Sequence, residues 1–491
     1  NLISMPRLFQ LQRVRMALGR GLDGLSNDSL LASYADDPTV DVWRRDPVDA
    51  IAGTIADRDA LRNMRLRAAA SREAGLDVLA RMEDLRAGRI RTQLALGGRV
   101  QQVRALSSLP DELLTKKVVG LRNVAAKPMR ELRTAEQKAA NAQPAADPSS
   151  AETQNTGLEM QAWSIAFDRY DIPIVMPHPL DDKQPASAIP AGTAVLAFQQ
   201  DNDLFHVVLS TKQKTTYWSI KGANRISGEV GKVMRAIGAA PSRGGRLPSD
   251  DGWRDAALQL RDRLIMEGTG PLLTGRLAGI EHLIVIPDSV LWYLPFEILP
   301  TGERDSDLLG EAIRVTYAAS PALSMYPTAL PGANPAIALT SGKFFAPRDL
   351  EVNDSIVQSI VESVPDGTLI RLPNDVSVAT SRCGELAGHL VVAEPTVPNQ
   401  SSTLESPLAS YEASLPHGQL RSWLGYPSTA PGSVFLSGFR SNVDTNRPTN
   451  GGEIGLTIAA LQYSGVRDVI LSRWAIGGES TASLVREYTQ E

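Results

Sequence analysis

Cysteine is nearly missing from this chain: Cys383 stands alone among 491 residues. One cysteine excludes an internal disulfide and any cysteine-rich zinc site. Histidine is sparse as well. His178, His206, His282, His389 and His417 are scattered, and none has a second His or a Cys at ligand spacing. No metal and no cofactor are expected. His206 and His282 fall inside apolar strand-like runs and read as packed residues. No run of eighteen apolar residues occurs, so no helical membrane span is expected. The net charge of −5 offers no field that would gather nucleic acid. The opening residues lack the apolar centre of a signal peptide. A phosphate-binding loop is also lacking. Gly228-Glu229-Val230-Gly231-Lys232 has Ile226 where such a loop needs glycine, and Val233 where it needs Ser or Thr. No internal repeat has the period of a helical solenoid.

What is present is a globular composition, 43% hydrophobic and 21% charged, on a chain too long for one ordinary core. Two or three domains are expected. It begins without Met and stops at Glu491 inside a helical pattern, which reads as a segment of a longer protein truncated at its C-terminus.

Residues 1–180 read as an α-helical region. Leu76, Leu79, Met82 and Leu85 recur every three residues between charges. Arg58, Arg62, Arg65 and Arg72 lie along one helix face, for which a solvated face is expected rather than a partner-binding stripe. Residues 134–157 are rich in Ala, Gln, Asn, Ser and Pro and read as a flexible linker.

From residue 181 the pattern is α/β. Gly192–Phe198, Leu204–Ser210 and Lys214–Ile220, joined by short polar turns, predict an antiparallel meander. A helix is predicted over Asp251–Met266. Strands are predicted at His282–Pro287, Ile313–Ala318, Ala336–Thr340, Thr368–Leu372 and His389–Ala393. Strands alternating with helices predict a doubly wound, mostly parallel sheet. A βαβ unit closes the series: strand Gly432–Ser437, a helix opened by Gly451-Gly452 with Ile454, Ile458 and Leu461 on one face, and strand Arg467–Ser472. Its two strands should be parallel and buried on both faces. Working residues in open α/β sheets lie beyond the carboxyl ends of such strands. Here that place is Ser437-Gly438-Phe439-Arg440.

Nucleophiles are few. Cys383 lies six residues before His389, but closeness in sequence is no sign of a Cys–His pair. A lone Cys is more often a small buried apolar residue. Ser437 sits at a strand end without the G-x-S-x-G elbow around it.

Three blocks together resemble a known family. Leu283 to Glu297 (LIVIPDSVLWYLPFE) resembles the "vPDg-l-yLPFe" signature of the bacterial CHAT family. These are caspase-like peptidase domains usually carried behind TPR-type helices. Gly451-Gly452-Glu453 and Ser464 to Trp474 resemble its "GGE … aGar-vi-slW" block, and Ala191 to Phe198 resembles its first strand. The resemblance implies a caspase-like domain over residues 181–491, with the meander at its start and the helical region before it. It implies a catalytic Cys after a Ser-Ala pair and a general base at the second His of His-x-x-x-His-Gly. Ser437-Gly438 match the pair, but Phe439 stands where the Cys belongs. His389-Leu390-Val391-Val392 match the first four residues of the His motif, and Ala393-Glu394 replace its His-Gly.

The expectation is therefore a divergent, catalytically inactive pseudo-peptidase that binds protein partners or serves assembly. Two alternatives stand beside it. One is an atypical active hydrolase using Cys383 or Ser437 with His389 or His417. The other is a structural subunit of an oligomer or larger assembly. The family favours the bacterial cytoplasm, and a start without Met leaves export open.

Overall fold

The computed structural model describes residues 62–93, 189–237, 252–265, 271–302, 307–325, 336–340, 369–372, 387–392, 407–408, 420, 423, 431–436, 451–463, 466–471, 473, 483–484 and 487. They fall into two compact units.

The first unit is built on a five-stranded sheet in the order β3-β2-β1-β4-β5. Its strands are β1 (Thr193–Asp201), β2 (Leu204–Thr211), β3 (Thr215–Lys221), β4 (His282–Ile286) and β5 (Arg314–Tyr317). β1 to β3 form the antiparallel meander, and β1 also pairs with β4 in parallel. A strand hydrogen-bonded on both sides needs a nearly continuous apolar run, and TAVLAF in β1 is one, buried throughout. Asn202, in the turn between β1 and β2, takes φ +55°, a left-handed conformation that asparagine tolerates.

One face of this sheet is covered by a helix over residues 62–71 (α1) and by α2 (Gly75–Gln93). Leu66, Ala69, Val78, Leu79, Met82 and Leu85 from the helices share one core cluster with Val195, Ala197, Val208 and Ile286 from the sheet. Polar ties join the same parts. Arg67 forks onto Asp201 at 2.5 and 2.6 Å. Arg86 donates to the Phe198 carbonyl and, at 3.0 Å, to that of Ala319. Glu83, itself buried, accepts the Ala322 backbone N–H at 2.8 Å.

The arginine stripe does not face water as expected. Arg62 and Arg65 are 3% and 7% exposed, whereas Arg72 is exposed. Arg58 lies outside the described residues. For Arg65 and Arg72 the reason is charge pairing with α2, whose acids follow the same face. Arg65 approaches Asp84 at 3.4 Å, Arg81 pairs with Asp84 and with Asp77 (3.2 Å), and Arg72 reaches Asp77 at 2.6 Å. Paired guanidinium groups can be buried where lone ones cannot.

Two further helices belong to the chain around this sheet. α4 (Gly252–Leu264) lies where the sequence predicts it. α3 (Ala223–Ala236) is not anticipated in the sequence reading. Its glycines weaken helix propensity, yet Ile226, Val230 and Val233 repeat at helical spacing and are buried. The segment weighed as a phosphate loop, Gly228 to Lys232, is the middle of this helix.

The second unit carries the order β10-β9-β8-β6-β7, all parallel. Its strands are β6 (Ile337–Thr340), β7 (Leu369–Leu372), β8 (His389–Val392), β9 (Ser433–Leu436) and β10 (Asp468–Leu471), with helix α7 (Gly452–Tyr463) between β9 and β10. The short helices α5 (Leu309–Ala312) and α6 (Pro321–Met325) precede β6 and belong to the first unit. The predicted βαβ unit is thus present and parallel. β9 is buried at every residue, but β10 is half-buried, because it is the edge strand among those described. Among the described residues the ladders form two sheets, where the sequence reading expects one.

Candidate functional site

Two regions bear on function: the signature segment in the first unit and the strand ends of the second.

The signature follows β4. Ser289–Tyr293 and Phe296–Ile298 are two short 3-10 turns. Asp288 Oδ2 accepts Gln199 Nε2 and the Gln200 backbone N–H, both at 2.7 Å. One carboxylate therefore joins the exit of β4 to the end of β1. Ser289 takes φ +53°, at the position where the family signature carries glycine. Val290, Leu291, Trp292 and Tyr293 are buried. Phe296 is fully buried, with its ring 5.5 Å from that of Phe198 and 6.4 Å from that of Tyr317. The Tyr317 hydroxyl accepts the Phe296 N–H at 2.9 Å and donates to Glu297 at 2.7 Å. The motif is a clasp that fixes the ends of β1, β4 and β5 together. Nothing in its spacing identifies Gln199 or Tyr317, because the partners lie 89 and 21 residues away.

In the second unit β8 and β9 are neighbours in register, His389 opposite Ser433 and Val392 opposite Leu436. Their carboxyl ends therefore lie side by side. His389 is at the other end, the first residue of β8. At a rise of about 3.3 Å per residue it stands about 10 Å from the carboxyl end of the strand. Its Nδ1 is 2.7 Å from Ser433 Oγ. Burial and the nearby Arg467 cation lower its pKa, against a smaller opposing effect of Asp468. The imidazole is therefore neutral at neutral pH. Ser433 as its partner becomes visible only through the strand register.

Phe439, Ala393, Cys383, Ser437 and His417 lie outside the described residues. Of the four fallback candidates, His389 alone is described. Helix α7 opens as the sequence predicts, with Gly451 at φ +62° and Ile454, Ile458 and Leu461 buried. Glu453 of the same block is 1% exposed in its first turn. Among the described residues no group of three His, Cys, Asp or Glu side chains could hold a metal ion, and no helix is long and apolar enough to cross a membrane.

Residues 256–491 match the family model of the CHAT domain. The CHAT match takes in both regions, the signature clasp after β4 and the parallel strands β8 to β10. CHAT domains are caspase-like and peptidase-related. No curated protein matches the chain.

Proposed function

We propose that the chain is a catalytically inactive CHAT-type pseudo-peptidase that serves as a protein-binding or assembly module. The observation that carries this reading is the pair Phe439 and Ala393, at the positions where the family resemblance sets the nucleophile and the general base. The register of β8 and β9 supports it. Their paired last residues are Val392 and Leu436, and the sequence reaches Ala393 one residue past the first and Phe439 three past the second. In open α/β sheets the chemistry is done just past such strand ends. A phenyl ring cannot attack a carbonyl, and a methyl group cannot carry a proton. A clasp that remains packed in a chain whose sequence has lost both catalytic residue types fits a fold kept for its shape.

The test is an assay of the full chain with a fluorogenic peptide library and a thiol-directed electrophilic probe. No turnover is expected, and the Cys383→Ala and Ser437→Ala variants should match the parent. Turnover that disappears in either variant would overturn the reading and establish the atypical hydrolase instead.

A further inference from the structure

Among the described residues β3 is an edge strand of the first sheet. Such an edge is normally covered or interrupted, since its free backbone groups invite another strand. The hairpin register shows which groups are free. The Thr211 N–H donates to the Lys214 carbonyl at 2.8 Å, and the Gly222 N–H to that of Asp203 at 2.8 Å. With Ser210 opposite Thr215 and Leu204 opposite Lys221, the alternation of antiparallel pairs follows. Thr216, Trp218 and Ile220 bond to β2. Thr215, Tyr217, Ser219 and Lys221 turn their N–H and C=O groups away from it. Among the described residues no backbone hydrogen bond reaches the outward groups of these four; the start of α2 lies against Thr215 and Tyr217, so the open stretch is the Ser219–Lys221 end. Ser219 and Lys221 are exposed, and β3 contains no proline and no bulge.

The charge along this edge has one dominant sign. Lys212 and Lys214 stand exposed at one end and Lys221 at the other. Between them the Arg276 guanidinium lies 4.1 Å from the centroid of the half-buried Trp218 ring. Glu73, which acts on Tyr217 through its charge, and the exposed Asp203 are the acids nearby. Among the described residues the three exposed lysines outnumber these two acids. A cavity of about 340 Å³ opens beside the same end, lined by Ala74, Gly75, Leu76, Gln213, Lys214 and Thr215. It has room for a side chain of an added strand, beside Lys214.

We propose that the outer edge of β3 is a docking site for an extended, acidic segment of a partner protein, which joins the sheet as a further strand. Backbone pairing supplies the affinity and the lysines select the charge. The same lysines oppose a basic strand, and they oppose chance self-pairing in the free protein. The inference goes beyond the pseudo-peptidase reading and stands whether or not the strand-end site is active.

The test uses the full chain and a short fluorescein-labelled peptide of alternating glutamate and valine, followed by polarisation. Saturable binding that weakens with salt is expected, with no binding of the lysine–valine counterpart. Ser219→Pro removes one outward N–H and leaves every bond to β2 in place, because proline is tolerated on the free side of an edge strand. It should weaken binding by about tenfold, the effect of losing roughly one hydrogen bond. The double variant Lys214→Glu/Lys221→Glu should abolish binding while the melting temperature stays near that of the parent. Absence of binding to the parent, or equal binding by Ser219→Pro, would overturn the proposal. Self-association of the parent that Ser219→Pro abolishes would also overturn it, by assigning the edge to a second copy of the chain.

Discussion

Ser289 carries a local cost that the family signature avoids. A non-glycine residue at φ +53° is strained by its own Cβ. Ser289→Gly should therefore raise stability by about 1 kcal/mol, less the extra freedom glycine gives the unfolded chain. Urea denaturation measures this, and a loss of stability would show that the serine hydroxyl is needed where it stands. Ionisable residues set a second expectation. Arg314 Nη2 lies 2.8 Å from His282 Nδ1, and His282 Nε2 lies 2.8 Å from Thr316 Oγ1. Arginine only donates, so Nδ1 accepts and the ring is the neutral Nε2–H form. Burial and Arg314 accordingly lower its pKa, as burial and Arg467 do for His389. Below about pH 6.5 the unfolded chain binds protons that these folded imidazoles refuse, so stability falls as pH drops through that value. Asp201 acts in the same direction at lower pH. Burial opposes its charge, but the hydrogen bonds and charges of Arg67 and His206 prevail and hold the carboxyl well below the usual carboxylate range. Its contribution is present above the unfolded value of about 3.9 and is lost as pH falls toward the folded one. Melting temperature against pH should be flat above about pH 7 and decline in two stages. His282→Gln should shrink the upper stage and Asp201→Asn the lower.

At the scale of elements, the clasp after β4 is the most consequential. Tyr317→Phe removes the acceptor for the Phe296 N–H and the donor to Glu297, at a cost of about 1–3 kcal/mol. The loss should appear as a shift in the urea midpoint with an unchanged slope, and a neutral result would mean that the hydroxyl ties no strand ends. All ten described strands are legible as short apolar runs between turn residues, from GTAVLAF to RDVILS. Which strand pairs with which is not, since hydrogen-bonding partners are chosen by packing across long separations. α3 is obscured by Gly228 and Gly231, which lower propensity but not the apolar spacing of Ile226, Val230 and Val233. The buried Arg65 shows the limit of charge patterns: a stripe of cations reads as solvated until the facing acids, Asp84 for Arg65 and Asp77 for Arg72, are placed against it. The clasp was recognisable as a motif, but its chemistry was hidden. Asp288 and Phe296 act through Gln200 and Tyr317, which no local spacing reveals.

At the scale of the molecule, similarity and folding start in different places. The CHAT match begins at residue 256, yet β4 is bonded along its length to β1, and the helices that cover the sheet lie earlier still. A polypeptide starting at the match would carry β4 and β5 with a bare ladder on one side and an uncovered apolar face. Such edges aggregate. The fragment 256–491 expressed alone should therefore be insoluble. A cut between α3 and α4 should behave differently when both pieces are made together. The N-terminal piece brings α1, α2 and the meander, the C-terminal piece brings β4 and β5, and neither has a complete core. Co-expression should return a soluble, co-purifying pair, and solubility of either piece alone would contradict this. The pairing of β1 with β4 thus makes the protein a natural candidate for conditional reconstitution, in which two halves regain a shape only when they meet.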